Sequence, residues 1–87
     1  MNYEIKFSKQ ANKDYELIRR SHYKDTLEEM LTILETNPYQ PKYEKLNDEF
    51  DRMYSRRINI KHRLAYKIYE DKKVVYILRM WSHYDKL

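Results

Sequence analysis

The sequence predicts an α+β domain in which two N-terminal helices pack on a mainly antiparallel sheet of four to five strands. An early segment alternates apolar and polar residues, and two stretches with apolar residues at helical spacing follow it. The second half instead alternates or is continuously apolar, which is typical of strands. The predicted order is β-α-α-β-β-β. A chain of 87 residues is one domain's worth, so we expect residues 1–87 to form a single domain.

The first 37 residues predict one strand and two helices. Residues 3–7 alternate with the period of a strand that buries one face. Ser8 is suited to cap a first helix that runs to about residue 20, and Ser21 a second helix. The second helix must end near residue 37, because Pro38 disfavours helical backbone before it. The apolar stripes are Ala11, Tyr15 and Ile18, then Tyr23, Leu27, Met30, Leu31 and Leu34.

The second half predicts a polar loop and consecutive strands. Residues 38–51 contain two prolines and read as a loop with one short strand at 44–47. Residues 74–80 are apolar except for one arginine, which predicts a strand buried on both faces. Turns are expected at residues 70–71 and 59–62. The residues expected to face the helices are Tyr54, Ile58, Ile60, Leu64, Tyr66 and Ile68.

Composition excludes several classes of protein. No apolar run is long enough to span a bilayer and the start lacks the apolar centre of a signal peptide, so we expect a cytoplasmic protein without a membrane partner. The absence of cysteine excludes disulfides and thiol nucleophiles. The absence of glycine excludes phosphate-binding loops that need close backbone approach. Three histidines without ligand spacing predict no metal site, and no cofactor is expected.

Charge is divided unevenly along the chain. Residues 1–51 carry a net charge of −3 and residues 52–87 one of +7. Residues 52–67 contain six basic residues and no acid, a pattern expected where a polyanion binds. If the apolar parity of the strands faces the helices, Arg57 and Arg63 share the opposite face. A solvated sheet face is an equally open interpretation, but the missing carboxylates favour a phosphate site.

RNA cleavage suits these residues, because the 2′-hydroxyl of RNA is a built-in nucleophile. A base must take its proton, an acid must protonate the departing 5′-oxygen, and cations must stabilise the charge on phosphorus. Glu44, His83, Arg57 and Arg63 could meet these needs. Taken singly, Glu44 is more often a solvated carboxylate and His83 more often a packing residue. Arg56 could be a structural or an RNA-binding cation.

The run YSRRINIKHRLAY at residues 54–66, with His83 and Tyr84 near the end, resembles the YoeB/Txe toxins of the RelE/ParE superfamily of type II toxin–antitoxin systems. A glutamate followed two positions later by leucine, here Glu44 and Leu46, is part of the same pattern. The chain departs from many relatives by having Lys45 after the glutamate and Asn47 after the leucine, and by a short tail beyond Tyr84.

The resemblance implies a RelE-like fold and a ribosome-dependent endoribonuclease that cuts mRNA at the codon in the decoding site. It implies Glu44 as general base, His83 as general acid, Arg63 as stabiliser of the transition state and Tyr84 as an orienting or stacking residue. The implied partners are the ribosome with its mRNA and an antitoxin of the YefM/Phd/Axe type; homodimers are common among relatives. The candidate phosphate contacts are Arg57, Arg56, Lys45 and Lys61.

Two other functions stay open at this point. A ParE-like inhibitor of DNA gyrase could use the same fold and would not need the acid and base pair. A non-catalytic nucleic-acid-binding module would bind RNA in a salt-dependent way without cutting it. The joint occurrence of glutamate, arginine and histidine favours the nuclease.

Overall fold

The computed structural model describes residues 2–45 and 53–82, which form a two-layer α+β structure. The elements are β1 Glu4–Phe7, α1 Lys9–Ile18, α2 Lys24–Thr36, β2 Glu44–Lys45, β3 Met53–Arg57, β4 Arg63–Tyr69 and β5 Val74–Ser82. These elements confirm the predicted fold class, with one strand more than the predicted β-α-α-β-β-β order. Across residues 2–45 and 53–82, no helix combines the length and the apolar character that a membrane span requires.

The strands form one five-stranded sheet in the order β1-β5-β4-β3-β2. β1 pairs with β5 in parallel, and the other three pairs are antiparallel. The sheet is therefore mainly antiparallel, as predicted. α1 packs mainly on β5, and both helices also contact β1.

Alternation along the strands separates a core face from an open face. Leu64, Tyr66 and Ile68 of β4 are buried against apolar residues of both helices. Successive strand residues point to opposite faces, so the intervening residues of β4 lie on the side without helices. We call that side the open face; the charged and aromatic residues that it carries on β1, β3, β4 and β5 include Lys6, Arg57, Arg63, Lys67, Tyr69 and Tyr76.

Ser8 and Ser21 were both predicted to cap helices, but only Ser8 does so. The Ser8 hydroxyl accepts the Ala11 N–H at 3.0 Å and donates to the Leu78 carbonyl at 2.8 Å, which caps α1 and ties it to β5. Ser21 was predicted to cap α2, and that prediction is wrong. The cap position is Tyr23, whose side chain makes no capping bond. Ser21 instead closes the helix connection, donating to the Ile18 carbonyl at 2.7 Å.

Two predictions about the strands are wrong. Ile60 was expected to face the helices, yet it is 86% exposed. β3 ends at Arg57 and residues 58–62 form the connection to β4, so strand parity no longer applies at Ile60. Residues 74–80 were expected to be buried on both faces, but of these seven only Val75, Ile77 and Met80 are buried. The reason is that the helices cover one face of the sheet.

The carboxylate of Asp14 joins α1 to an irregular part of β5. Ala65 pairs with Arg79 and Tyr66 with Ile77, so β5 contains an extra residue at this point. Asp14 Oδ2 accepts the Met80 backbone N–H and the Arg79 Nε–H, both at 3.0 Å. Its side chain is 4% exposed. This buried acceptor satisfies a backbone group at the irregularity and fixes the helix against the sheet.

Asp14→Ala is expected to lower the free energy of unfolding by about 1 to 3 kcal/mol, because the buried Met80 N–H would lose its acceptor. Urea denaturation measures the change. Glu28→Ala is the matched control: it removes the carboxylate that accepts from the Tyr15 hydroxyl at 2.9 Å, but at an exposed position. The control should stay within about 0.5 kcal/mol of the parent. Equal losses in the two variants would contradict the role assigned to Asp14.

Candidate active site

The candidate site lies at one end of the open face, where β2, β3 and β4 run side by side. Arg57 on β3 pairs directly with Arg63 on β4, and Ser55 pairs with Ala65. Glu44 on the short edge strand β2 pairs with Ser55. Residues that pair directly share a face of the sheet, so the register brings Glu44, Arg57 and Arg63 to one surface. This is the juxtaposition that strand parity predicted for the two arginines.

Glu44 and Arg63 form an ion pair. Arg63 Nη1 donates to Glu44 Oε1 and lies 3.4 Å from the Ser55 hydroxyl. The Arg63 side chain is 12% exposed and that of Glu44 is 58% exposed. The cation is therefore held within the protein, while the carboxylate stands at the surface, where a second molecule can reach it.

A cleft of about 500 Å³ opens beside this pair. That volume is within the usual range of ligand sites in proteins. Three arginines and Lys42 face one glutamate around it, which makes the cleft basic. Its lining residues are Met30, Ile33, Pro41, Lys42, Tyr43, Glu44, Ser55, Arg56, Arg57 and Arg63.

Arg56 does not share the open face. It is 5% exposed, and its side chain lies under the loop between α2 and β2. Its guanidinium donates to the Gln40 carbonyl, to the Pro38 and Lys42 carbonyls at 3.4 Å each, and to the Tyr66 hydroxyl at 3.2 Å. The buried position of Arg56 therefore does not agree with the expectation that this side chain contacts phosphate. The position agrees with the other expectation, that Arg56 is a structural cation, because its N–H groups bond to protein acceptors and solvent barely reaches them.

The buried tyrosine beneath Arg56 extends this network. Burial raises the pKa of the Tyr66 hydroxyl, although the neighbouring Arg56 opposes the shift. The hydroxyl remains protonated and donates to the Pro38 carbonyl at 3.4 Å. The Tyr66 ring stacks on Tyr54 at a centroid distance of 5.8 Å, and Tyr43 meets Tyr54 edge-on at 5.4 Å. The loop that leads into Glu44 is thus held by hydrogen bonds and by aromatic packing.

A second anchor holds the start of this loop. Glu70, in the turn between β4 and β5, accepts from Tyr39 at 2.7 Å, from Tyr3 at 2.8 Å and from Lys73 at 2.6 Å. These three donors lower the pKa of Glu70 to about 2. Burial and the bond to Glu70 raise the pKa of the Tyr39 hydroxyl. The Glu70 carboxylate thus ties together the N-terminal segment, the loop and the turn.

The other residues predicted to belong to the site are placed as follows. Lys45 pairs with Tyr54, so it points away from the face that Glu44 shares with Arg63. Lys61 is exposed in the turn between β3 and β4, and its N–H donates to the Asn59 side chain at 2.8 Å. His83 and Tyr84 lie outside the described residues. Within residues 2–45 and 53–82, no group of three or more histidine, cysteine or acidic residues could hold a metal ion.

A family model described as the ParE toxin of type II toxin–antitoxin systems matches residues 5–87. The chain belongs to this family. The YoeB dimer from Staphylococcus aureus is 30% identical with a TM-score of 0.82, and the match covers 97% of this chain and 100% of that one. For the YoeB–YefM complex of the same organism the identity is 29%, the TM-score 0.77 and the coverage 97% and 100%. The RelE–RelB complex from Pyrococcus horikoshii is 26% identical, with a TM-score of 0.76 and coverage of 94% and 96%.

Comparison with curated proteins gives no significant match. The family match and the structural matches confirm the resemblance predicted from the motifs. The protein is a toxin of a type II toxin–antitoxin system on the RelE/YoeB fold.

Arg56→Lys is expected to lower the free energy of unfolding by about 1 to 3 kcal/mol, because an ammonium cannot reach the separate oxygens that the guanidinium joins. Arg57→Lys, one residue along on the exposed open face, is the matched control and should change stability by no more than about 0.5 kcal/mol. Urea denaturation compares the two. A larger loss in the control would contradict the role of Arg56.

Glu70→Gln is expected to change the pH dependence of stability. The folded-state pKa of about 2 lies below the ordinary 4.5, so the ionised carboxylate stabilises the fold above about pH 4.5. That contribution is lost as the pH falls towards 2. The difference in urea midpoint between parent and variant should therefore be constant above pH 5 and shrink below it. Tyr39→Phe, which removes one donor, should give a smaller difference with the same trend. A difference independent of pH would contradict this account.

Proposed function

We propose that this toxin is a ribosome-dependent endoribonuclease that cuts mRNA at the codon in the decoding site and so inhibits translation. The observation that carries the proposal is the Glu44–Arg63 ion pair beside an open basic cleft, with Arg57 paired to Arg63 across the strands. Cleavage by a 2′-hydroxyl requires a base, an acid and cations; the base and two cations share this surface, and the proposal assigns the acid to His83.

In the proposed reaction Glu44 takes the proton of the 2′-hydroxyl, and the resulting oxygen attacks the adjacent phosphorus. The bond from phosphorus to the 5′-oxygen of the next nucleotide breaks, and His83 supplies a proton to that oxygen. The products are a 2′,3′-cyclic phosphate and a 5′-hydroxyl. Arg63 and Arg57 stabilise the additional negative charge on the phosphoryl oxygens during the displacement.

The unequal exposure of the ion pair supports this division of roles. Arg63 is mostly enclosed and is near the Ser55 hydroxyl, so its position depends little on the substrate. Glu44 is more than half exposed and can turn towards an incoming ribose. A substrate phosphate would compete with Glu44 for the guanidinium, which would release the carboxylate to act as a base.

Further roles in the proposal rest on the family resemblance. Tyr84 orients the substrate or stacks on a base, and Lys61 contacts phosphate. Lys45 contacts a phosphate other than the scissile one, because its side chain points away from the face that Glu44 shares with Arg63. The exposure of Lys61 beside the cleft end of β4 is compatible with such a contact. Arg56 has no direct part, because its donors are directed at the loop carbonyls.

The proposed protein partners follow from the relatives. Homologous toxins have been solved as a dimer and in complexes with the antitoxins YefM and RelB. We propose that an antitoxin of the YefM/Phd/Axe type neutralises this toxin. The excess positive charge of residues 52–87 would attract an acidic segment of such a partner. The toxin would act in the cytoplasm, where ribosomes and mRNA are found. We also propose that it self-associates, as the S. aureus relative does.

Glu44→Gln and Arg63→Ala are expected to abolish growth arrest in bacteria that express the toxin without antitoxin. Loss of a general base typically slows cleavage by about 10²- to 10⁴-fold. Primer extension on cellular mRNA should show cuts at defined codon positions with the parent and none with the variants. His83→Ala should behave in the same way.

The Glu16–Arg19 pair offers matched controls, because it is also an exposed glutamate bound to an arginine, at 2.9 Å at the C-terminal end of α1. Glu16→Gln and Arg19→Ala should leave growth arrest and cleavage unchanged. Cleavage at the parental rate by a folded Glu44→Gln, His83→Ala double variant would refute the mechanism. Inhibition of DNA supercoiling without RNA cleavage would identify a gyrase inhibitor instead, and RNA binding without any cleaved product would identify a non-catalytic binding module.

A further inference from the structure

A second group of basic and aromatic residues crosses the open face away from the ion pair. Tyr76 on β5 pairs with Lys6 on β1 and, on its other side, with Lys67 on β4. The register therefore places Lys6, Tyr76 and Lys67 in one row across three strands, which we call the lysine–tyrosine row. It lies on the open face because the neighbours of Tyr76, Val75 and Ile77, are both fully buried in the core.

A cavity of about 290 Å³ adjoins this row. It is lined by Lys6, Tyr69, Lys72, Val74 and Tyr76, which are two cations, two aromatic rings and one small apolar side chain. No carboxylate is among these lining residues. Glu4 shares this face one row further along β1, opposite Val74, so the positive surface ends there.

The row lies on the same face of the sheet as the candidate active site. Lys67 and Arg63 are four residues apart on β4 and point to the same face, which separates them by about 13 Å at about 3.3 Å per residue. A stacked nucleic-acid strand advances by about 3.4 Å per nucleotide, so this span corresponds to about four stacked nucleotides and to fewer in an extended strand.

We propose that the lysine–tyrosine row and the adjoining cavity form a subsite for single-stranded RNA, in which a base stacks on Tyr76 while Lys6 and Lys72 contact its phosphates. The nucleotide belongs to the strand that is cut and lies a few positions from the scissile phosphate. This assignment rests on the proposed nuclease function. Aromatic stacking with flanking cations is the usual way in which proteins hold single strands without reading their sequence.

The test measures RNA binding in the Glu44→Gln background, in which the strand stays intact. Fluorescently labelled RNA of two and of eight nucleotides is titrated at fixed salt. Tyr76→Leu should weaken binding of the octanucleotide by about 5- to 150-fold, the range expected for loss of one stacked base. Binding of the dinucleotide, which is too short to reach the row from Arg63, should not change. Tyr76→Phe keeps the ring and should bind the octanucleotide as the parent does.

Lys6→Gln should weaken octanucleotide binding and lower the slope of log affinity against log salt by about 0.7, the value for one phosphate contact on a single strand. Lys24→Gln is the matched control, since Lys24 is an exposed lysine at the start of α2, away from the open face. It should leave both affinity and salt slope unchanged. Circular dichroism and urea midpoints verify that every variant is folded.

Parental octanucleotide affinity in both folded Tyr76→Leu and Lys6→Gln would overturn the proposal, as would failure of the background protein to bind the octanucleotide. A loss confined to co-sedimentation with ribosomes, with octanucleotide binding unaltered, would place the contact on ribosomal RNA and overturn the assignment to the cut strand. Failure of the nuclease function is scored separately, by primer extension with the wild-type toxin, because the binding assay uses a variant that is not expected to cut.

Discussion

The buried guanidinium of Arg56 is the contact on which the geometry of the site depends. The loop after α2 belongs to no helix or strand before β2, so its carbonyl groups need partners outside regular secondary structure. The planar guanidinium of Arg56 donates hydrogen bonds to the carbonyls of Pro38, Gln40 and Lys42 and to the Tyr66 hydroxyl. The chain that leaves this cluster enters β2 directly, so the position of Glu44 beside β3 follows from how the loop is folded.

One face of the sheet forms the core with the helices, and the other carries the charged residues of the candidate site. One face buries aliphatic residues of β4 and β5 under the helices, and the other carries cations that a packed helix would have to desolvate. Concentrating arginine and lysine on the open face is compatible with a small core, because those residues need not be buried. It also makes the same surface attractive to a polyanion.

The alternation of residues along the strands was enough to predict that the two arginines of the site lie on one face of the sheet. The odd parity of Arg57 and Arg63 placed both on one face, and the register confirms that they are paired. The same alternation also places Arg56 on the side of Tyr54 and Ile58, so its burial could have been predicted from the pattern. Ile60 shows the limit of this reasoning, because parity lost its meaning where β3 ended. No periodicity marked Asp14, whose burial depends on an irregular register in a distant strand.

Local patterns in the chain were enough to establish the succession of helices and strands, the apolar faces of the helices and of β4, and the basic character of the second half. These properties depend on side-chain periodicity and composition, which neighbouring residues share. The pairing of Glu44 with Arg63, the enclosure of Arg56 and the row through Tyr76 needed the folded molecule. Each joins segments that are far apart along the chain, and their meeting depends on strand order and register, which are set by how the whole sheet packs against the helices.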